Sequence, residues 1–170
     1  ALLEIISPML VPDQYGRSTI SSLYLDTPDF RIIRASIEAR LWGHAYKEKL
    51  RLRTYGVPTD ASKVFLEIKK KYDGVVYKRR ISLTHADAME YILGGAKPPD
   101  SQIFREIDYA MHFYAGIRPA AIVSYERDAF FVRDLPALRI TLDQSVRYRA
   151  DELDLTLGDH GNILLPEGFT

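Results

Sequence analysis

Lys49-Leu50-Arg51-Leu52-Arg53-Thr54-Tyr55 decides the fold of this chain. Side chains alternate between two faces along an extended strand. Lys49, Arg51 and Arg53 therefore share one face, and Leu50 and Leu52 the other. The same division recurs downstream. In Leu66-Glu67-Ile68-Lys69-Lys70-Lys71, the residues Glu67, Lys69 and Lys71 oppose Leu66 and Ile68. Lys78, Arg80 and Ser82 oppose Arg79, Ile81 and Leu83, and Arg139, Thr141 and Asp143 oppose Leu138, Ile140 and Leu142. Arg127 shares a face with Tyr125 and Val123. Ser22, Tyr24 and Asp26 oppose Leu23 and Leu25.

A sheet with one face on a core and one in water explains any single such strand. The set of strands points elsewhere, because a solvated face mixes Lys, Glu, Thr and Ser. Here the polar faces concentrate cations: Arg51, Arg53, Lys69, Lys71, Lys78, Arg80, Arg127 and Arg139, against few acids. Side by side such charges repel, unless an anion sits among them. The planar fork of Arg suits bidentate contact with phosphate. The expected fold class is α+β: an antiparallel β-barrel tunnel with a basic inward face and helices packed outside on the apolar faces. That inverts the usual barrel, whose interior is filled by apolar side chains. A closed basic tunnel would focus potential on a polyanion.

Outward from these strands, Asp73-Gly74 between Val64–Tyr72 and Val75–Leu83 is a two-residue hairpin signal. Glu48–Tyr55, Ala121–Phe131, Leu138–Asp143 and Ile20–Asp26 complete the expected strands. Thr84–Leu93 reads as a helix capped by Thr84, and Ser101–Tyr114 as one capped by Ser101 with the stripe Ile103, Ile107, Met111 and Tyr114. Residues 1–11 read as the tail of an amphipathic helix, with Leu2, Leu3, Ile6 and Leu10 on one face and Pro12-Asp13 as its stop. Asp29 to Trp42 is ambiguous and reads as a short helix followed by an irregular segment. Residues 150–170, with Gly158, Gly161 and Gly168, read as loop.

Composition narrows the function. The 170 residues fit one domain, and 46% hydrophobic content fits a packed core. With 23 basic and 23 acidic residues the formal charge is zero, which argues against a nucleic-acid coat. No Cys is present, so disulfides and thiolate chemistry are excluded. His44, His85, His112 and His160 share no metal-ligand spacing. No stretch has the length of a membrane span and no signal-peptide pattern is visible, so a cytoplasmic location is expected.

Seven motifs in order resemble the VTC domain, the polyphosphate polymerase domain of the triphosphate tunnel metalloenzyme superfamily. They are Ser22-Leu23-Tyr24-Leu25-Asp26, Lys49 to Gly56, Leu66 to Lys71, Lys78-Arg79-Arg80, Glu106-Ile107-Asp108-Tyr109, Ser124 to Phe130, and Leu138 to Asp143. The resemblance runs from about residue 20 to about residue 150. It implies a tunnel that binds ATP with a divalent metal, Mn²⁺ or Mg²⁺, and transfers the terminal phosphoryl group to polyphosphate. Arg51, Arg53, Lys69, Arg127 and Arg139 would be the catalytic set. Lys49, Lys71, Lys78 and Arg80 would bind phosphate. Glu67 and Asp143 are the carboxylates within reach of a metal role; the residues equally allow Glu67 to pair with Lys69 or Arg53, and Asp143 with Arg139. Against the family pattern, the single domain at 1–170 is expected to lack a first and a last barrel strand. A triphosphate hydrolase on the same fold and a non-catalytic polyanion-binding module are the alternatives.

Tyr24 and Tyr125 read first as packing residues and second as platforms for a base. Glu126 points away from Arg127, and His85 reads as a helix-starting residue. Glu106-Ile107-Asp108-Tyr109 is expected on a helix against the barrel.

Overall fold

The alternation seen in the sequence is realised in three dimensions. In the computed structural model, which describes residues 2–41 and 46–165, Leu23, Leu50, Leu52, Val64, Leu66 and Ile68 are all essentially inaccessible. Their strands are β1 (Leu10–Asp26), β2 (Tyr46–Tyr55), β3 (Lys63–Tyr72), β4 (Val75–Thr84), β5 (Arg118–Val132), β6 (Leu135–Arg149) and β7 (Asn162–Ile163). They form one antiparallel sheet in the order β4-β3-β2-β1-β5-β6-β7.

Three helices cover the apolar face: α2 (Arg31–Leu41), α3 (His85–Ile92) and α4 (Gln102–Phe113), while α1 (Leu2–Ile6) precedes β1 and, among the described residues, adds nothing to the core. Ile32 of α2, Ala88, Tyr91 and Ile92 of α3, and Phe104, Ile107 and Ala110 of α4 join the strand leucines in one core. Each fully buried Leu or Ile in it contributes roughly 1.5–3 kcal/mol. The caps are as expected: Thr84 Oγ1 accepts from the Asp87 N–H at 3.1 Å, and Ser101 Oγ from the Phe104 N–H at 3.1 Å. Asp73 and Gly74 both have positive φ (45° and 79°), which a two-residue turn matched to strand twist requires.

The N-terminal segment differs from the sequence reading. The helix ends at Ile6, a 3-10 turn covers Ser7–Met9, and Leu10 already lies in β1, so Ile6 and Leu10 share no helical face. Pro12-Asp13 is turn chemistry, but it makes a bulge rather than a stop. Asp13 Oδ1 accepts the Tyr15 and Gly16 N–H groups, and the register with β5 shifts between Pro12 and Arg17. The ambiguous segment after Asp29 is α2, set by Asp26, whose carboxylate accepts the Ile32 and Ile33 N–H groups at 2.8 and 3.0 Å. Trp42 and Gly168 lie outside the described residues.

The sheet is open rather than closed into the expected barrel. β4 is one edge and β7 the other, and no ladder joins them among the described residues. Closure needs every strand edge paired, whereas β7 meets only Arg147 and Tyr148 of β6. None of the described helices is long and apolar enough to cross a membrane.

Candidate anion-binding site

The polar face of β1 to β5 reads as rows across the ladders. Lys49 stands opposite Lys69, and Lys69 opposite Lys78, so three lysines line up across three strands. The next row, ~6.7 Å along the strands, is Tyr24, Arg51, Glu67 and Arg80. The third is Ser22, Arg53, Phe65 and Ser82. Lys71 lies one row beyond the lysines, toward the β3–β4 turn. Directly opposed like charges destabilise a sheet, so the lysine row stands at an energetic cost.

Glu67 is the hub of the second row. It is 1% exposed. Arg51 donates to its Oε2 through Nε at 2.8 Å and Nη2 at 2.7 Å, and Lys78 Nζ lies 3.0 Å from Oε1. Burial works against its charge, but Lys78, Arg51 and Arg53 outweigh burial and hold the carboxyl below its usual range. Its partners are thus Arg51 and Lys78, and not Lys69 or Arg53. Burial opposes the Arg51 charge too, but Tyr24 and Glu67 raise its affinity for the proton.

Arg53 is different in kind. It is 7% exposed, yet its guanidinium meets no carboxylate among the described residues. Nε donates to Ser22 Oγ at 3.2 Å and Nη2 to the Tyr125 hydroxyl at 3.3 Å. Burial raises the Tyr125 pKa, keeping that hydroxyl neutral. Tyr125 in turn carries the Arg127 guanidinium 5.1 Å above its ring centroid. Arg127 is held bidentately by Asp143, Nε to Oδ1 at 2.6 Å and Nη2 to Oδ2 at 2.7 Å, and these bonds raise its pKa. A register shift between Ser124 and Glu126, opposite Ser145 at φ 54°, bends the chain where Tyr125 projects.

The structure brings Lys49, Arg51, Arg53, Lys69, Lys78, Arg80 and Glu67 together on neighbouring strands, and joins Arg127 to them through Tyr125. Arg139 is set apart. It lies four residues along β6 from Asp143, ~13 Å in strand rise, and binds Asp13 Oδ2 at 2.6 Å. Asp143 is therefore the partner of Arg127 and not of Arg139. The cations are also better matched by acids than strand-by-strand counting suggests, since Arg51, Lys78, Arg127 and Arg139 each have a carboxylate. Lys49, Lys69, Lys71 and Arg80 have none among the described residues and are exposed, so the open sheet presents them to solvent. Arg80 stacks over the Phe65 ring at 4.6 Å.

Ser22, Tyr24 and Tyr125 act as hydroxyl supports for the arginines, a role that motif reading missed. Tyr24 Oη accepts from Arg51 Nη1 at 3.4 Å. Same-face alternation was the available signal, since Ser22 and Tyr24 share a face and Tyr125 lies two residues before Arg127.

The domain is α+β, with cations gathered on one face of its sheet and Arg53 buried among them without a carboxylate in contact; Arg149, also buried, lies outside these rows and is held by four backbone carbonyls. The VTC domain profile matches residues 3–167, and the chain belongs to that family, which is polyphosphate polymerase-like. No curated protein matches the sequence.

Proposed function

We propose that this domain holds ATP on the basic face and transfers its terminal phosphoryl group to polyphosphate. The observation that carries the reading is Arg53. Its direct contacts are the Ser22 and Tyr125 hydroxyls, and Glu67 acts on it only from beyond contact, so a phosphate oxygen between Arg53 and the lysine row would supply the counterion in contact that the protein does not. Arg51, Arg53 and Lys69 hold the triphosphate, flanked by Lys49, Lys71, Lys78 and Arg80. Arg127, aimed by Asp143 and Tyr125, sits where the transferred group meets the acceptor, and Arg139 lies along the chain beyond it. A terminal polyphosphate oxygen attacks the γ-phosphorus, the bond to the bridging oxygen breaks, and ADP leaves. Cations fixed in advance along that line stabilise the charge that moves, which is what phosphoryl transfer asks of a protein.

Mn²⁺ or Mg²⁺ fits as part of the incoming triphosphate rather than in a standing cage. Among the described residues no three His, Asp or Glu cluster, and such ions are commonly held by one or two carboxylates plus substrate phosphates. Glu67 is the carboxylate within the basic rows, and its buried Oε1 would reach a metal once the partly exposed Lys78, 3.0 Å away, turned aside. Asp143 has both oxygens on Arg127 and fits less well. Bound there, the metal would neutralise charge on the phosphates. An ATP-consuming reaction fits the cytoplasmic location expected for the chain.

The test is incubation with ATP and Mn²⁺, resolving polyphosphate, ADP and free phosphate. Polyphosphate with ADP is expected. Free phosphate without polymer would replace the proposal with a hydrolase. Salt-sensitive triphosphate binding without turnover would leave a binding module.

A further inference from the structure

We propose that the cavity at the Lys49 end of the basic face seats the nucleoside of the triphosphate and so sets the direction in which the phosphates run. The inference rests on the triphosphate reading above. The cavity holds about 430 Å³, within the range of small-molecule sites. Its walls include Tyr24, Phe30, Ile33, Lys49, Ala121 and Val123. Tyr24 and Lys49 belong to the basic face as well, and the Tyr24 hydroxyl touches Arg51. The cavity is therefore continuous with the phosphate-binding rows.

Its chemistry suits a flat, largely uncharged ring. Two carboxylates border it, and both are engaged elsewhere: Asp26 accepts backbone N–H groups of α2, and Glu48 pairs with Lys70 at 3.5 Å. Phe30 supplies a ring at the lip. It is 52% exposed, so core packing does not account for it. It is also held at φ 58°, a conformation rarely adopted by bulky residues. The Phe30 N–H donates to Thr27 O at 2.9 Å and Phe30 O accepts from the Arg34 N–H at 3.0 Å, which fixes that geometry. Strained residues of this kind gather at ligand sites, and an exposed ring over a cavity is a stacking platform for a base. With the base there, the phosphates pass Lys49, then Arg51 and Arg53. The terminal phosphoryl group points toward Arg127, and the polymer continues toward Arg139.

Calorimetric titrations of the full chain with ATP and with inorganic triphosphate test this directly. Phe30→Gly removes the ring and relieves the backbone, since Gly adopts positive φ freely, so the melting temperature should not fall. ATP affinity should drop about tenfold, the value of one stacked base, while inorganic triphosphate binds as before. Phe30→Tyr should retain ATP affinity. Ala121→Leu, which fills the cavity from the opposite wall, should repeat the selective loss. Equal changes for both ligands, or no change for ATP, would overturn the nucleoside seat and leave the phosphate site standing. Wild-type protein that binds neither ligand would remove the phosphate site itself, and the seat with it.

Discussion

Glu67→Gln is the sharpest perturbation of the basic face. Gln keeps the shape and an acceptor for Arg51, but removes the one charge that faces both Arg51 and Lys78. Breaking a buried pair by removing one partner costs about 3–5 kcal/mol. The low end applies, because the Lys78 side chain is 41% exposed and can turn to water. A loss of ~3 kcal/mol in a chain of this size lowers the melting temperature by roughly 6–12 °C. The assay is thermal melting at pH 7 in EDTA, with and without inorganic triphosphate. At about 100 times its Kd a ligand adds ~2.7 kcal/mol to the wild type. The variant should gain more, ~1.4 kcal/mol for each tenfold rise in affinity, because the anion takes over the missing negative charge. A variant that melts within about 1 °C of wild type without ligand would refute the role of Glu67 as the neutralising hub on this scale. Equal gains with ligand would refute the placement of the phosphates against it.

Arg53→Met should abolish most triphosphate binding while changing stability by less than ~1 kcal/mol, since an apolar replacement offsets the lost bonds to Ser22 and Tyr125; unchanged affinity by calorimetry would remove Arg53 from the site. Lys69→Gln takes out the middle of the lysine row and should stabilise the sheet by ~0.5 kcal/mol at low ionic strength, a gain that urea titrations in 1 M salt should no longer detect. The Glu67 carboxyl is held below its ordinary value of 4.5, so its contribution is complete above that pH and is lost as pH falls through the folded value. Acid melts of Glu67→Gln should accordingly be flatter than those of wild type. Asp26→Ala should destabilise α2 by about 1–2 kcal/mol through loss of its N-terminal hydrogen bonds, read as a drop in urea midpoint.

Much of the fold was legible because it is local. Alternation follows from the pleat of a single strand, so the apolar and cationic faces of β2, β3 and β4 could be assigned without knowing their neighbours. Asp73-Gly74, Thr84 and Ser101 act within a few residues of themselves, and each did what its chemistry demands. The same locality misled at Pro12-Asp13, where a correct turn signal sits inside a longer strand, because pairing with β5 continues on both sides of the bulge.

The sequence by itself therefore determined the faces, the caps, the hairpin and the gathering of cations on one side of a sheet. Which acid meets which cation was decided by the tertiary structure. Arg139 and Asp13 are 126 residues apart, and Glu67 reaches Arg51 and Lys78 only through the registers of β2 with β3 and β3 with β4. The support of Arg53 by Ser22 and Tyr125, the open edges and the cavity beneath Phe30 have the same origin. Register and bulges are properties of strand pairs, set by the hydrogen bonds and packing of both partners at once, so no one segment of sequence contains them.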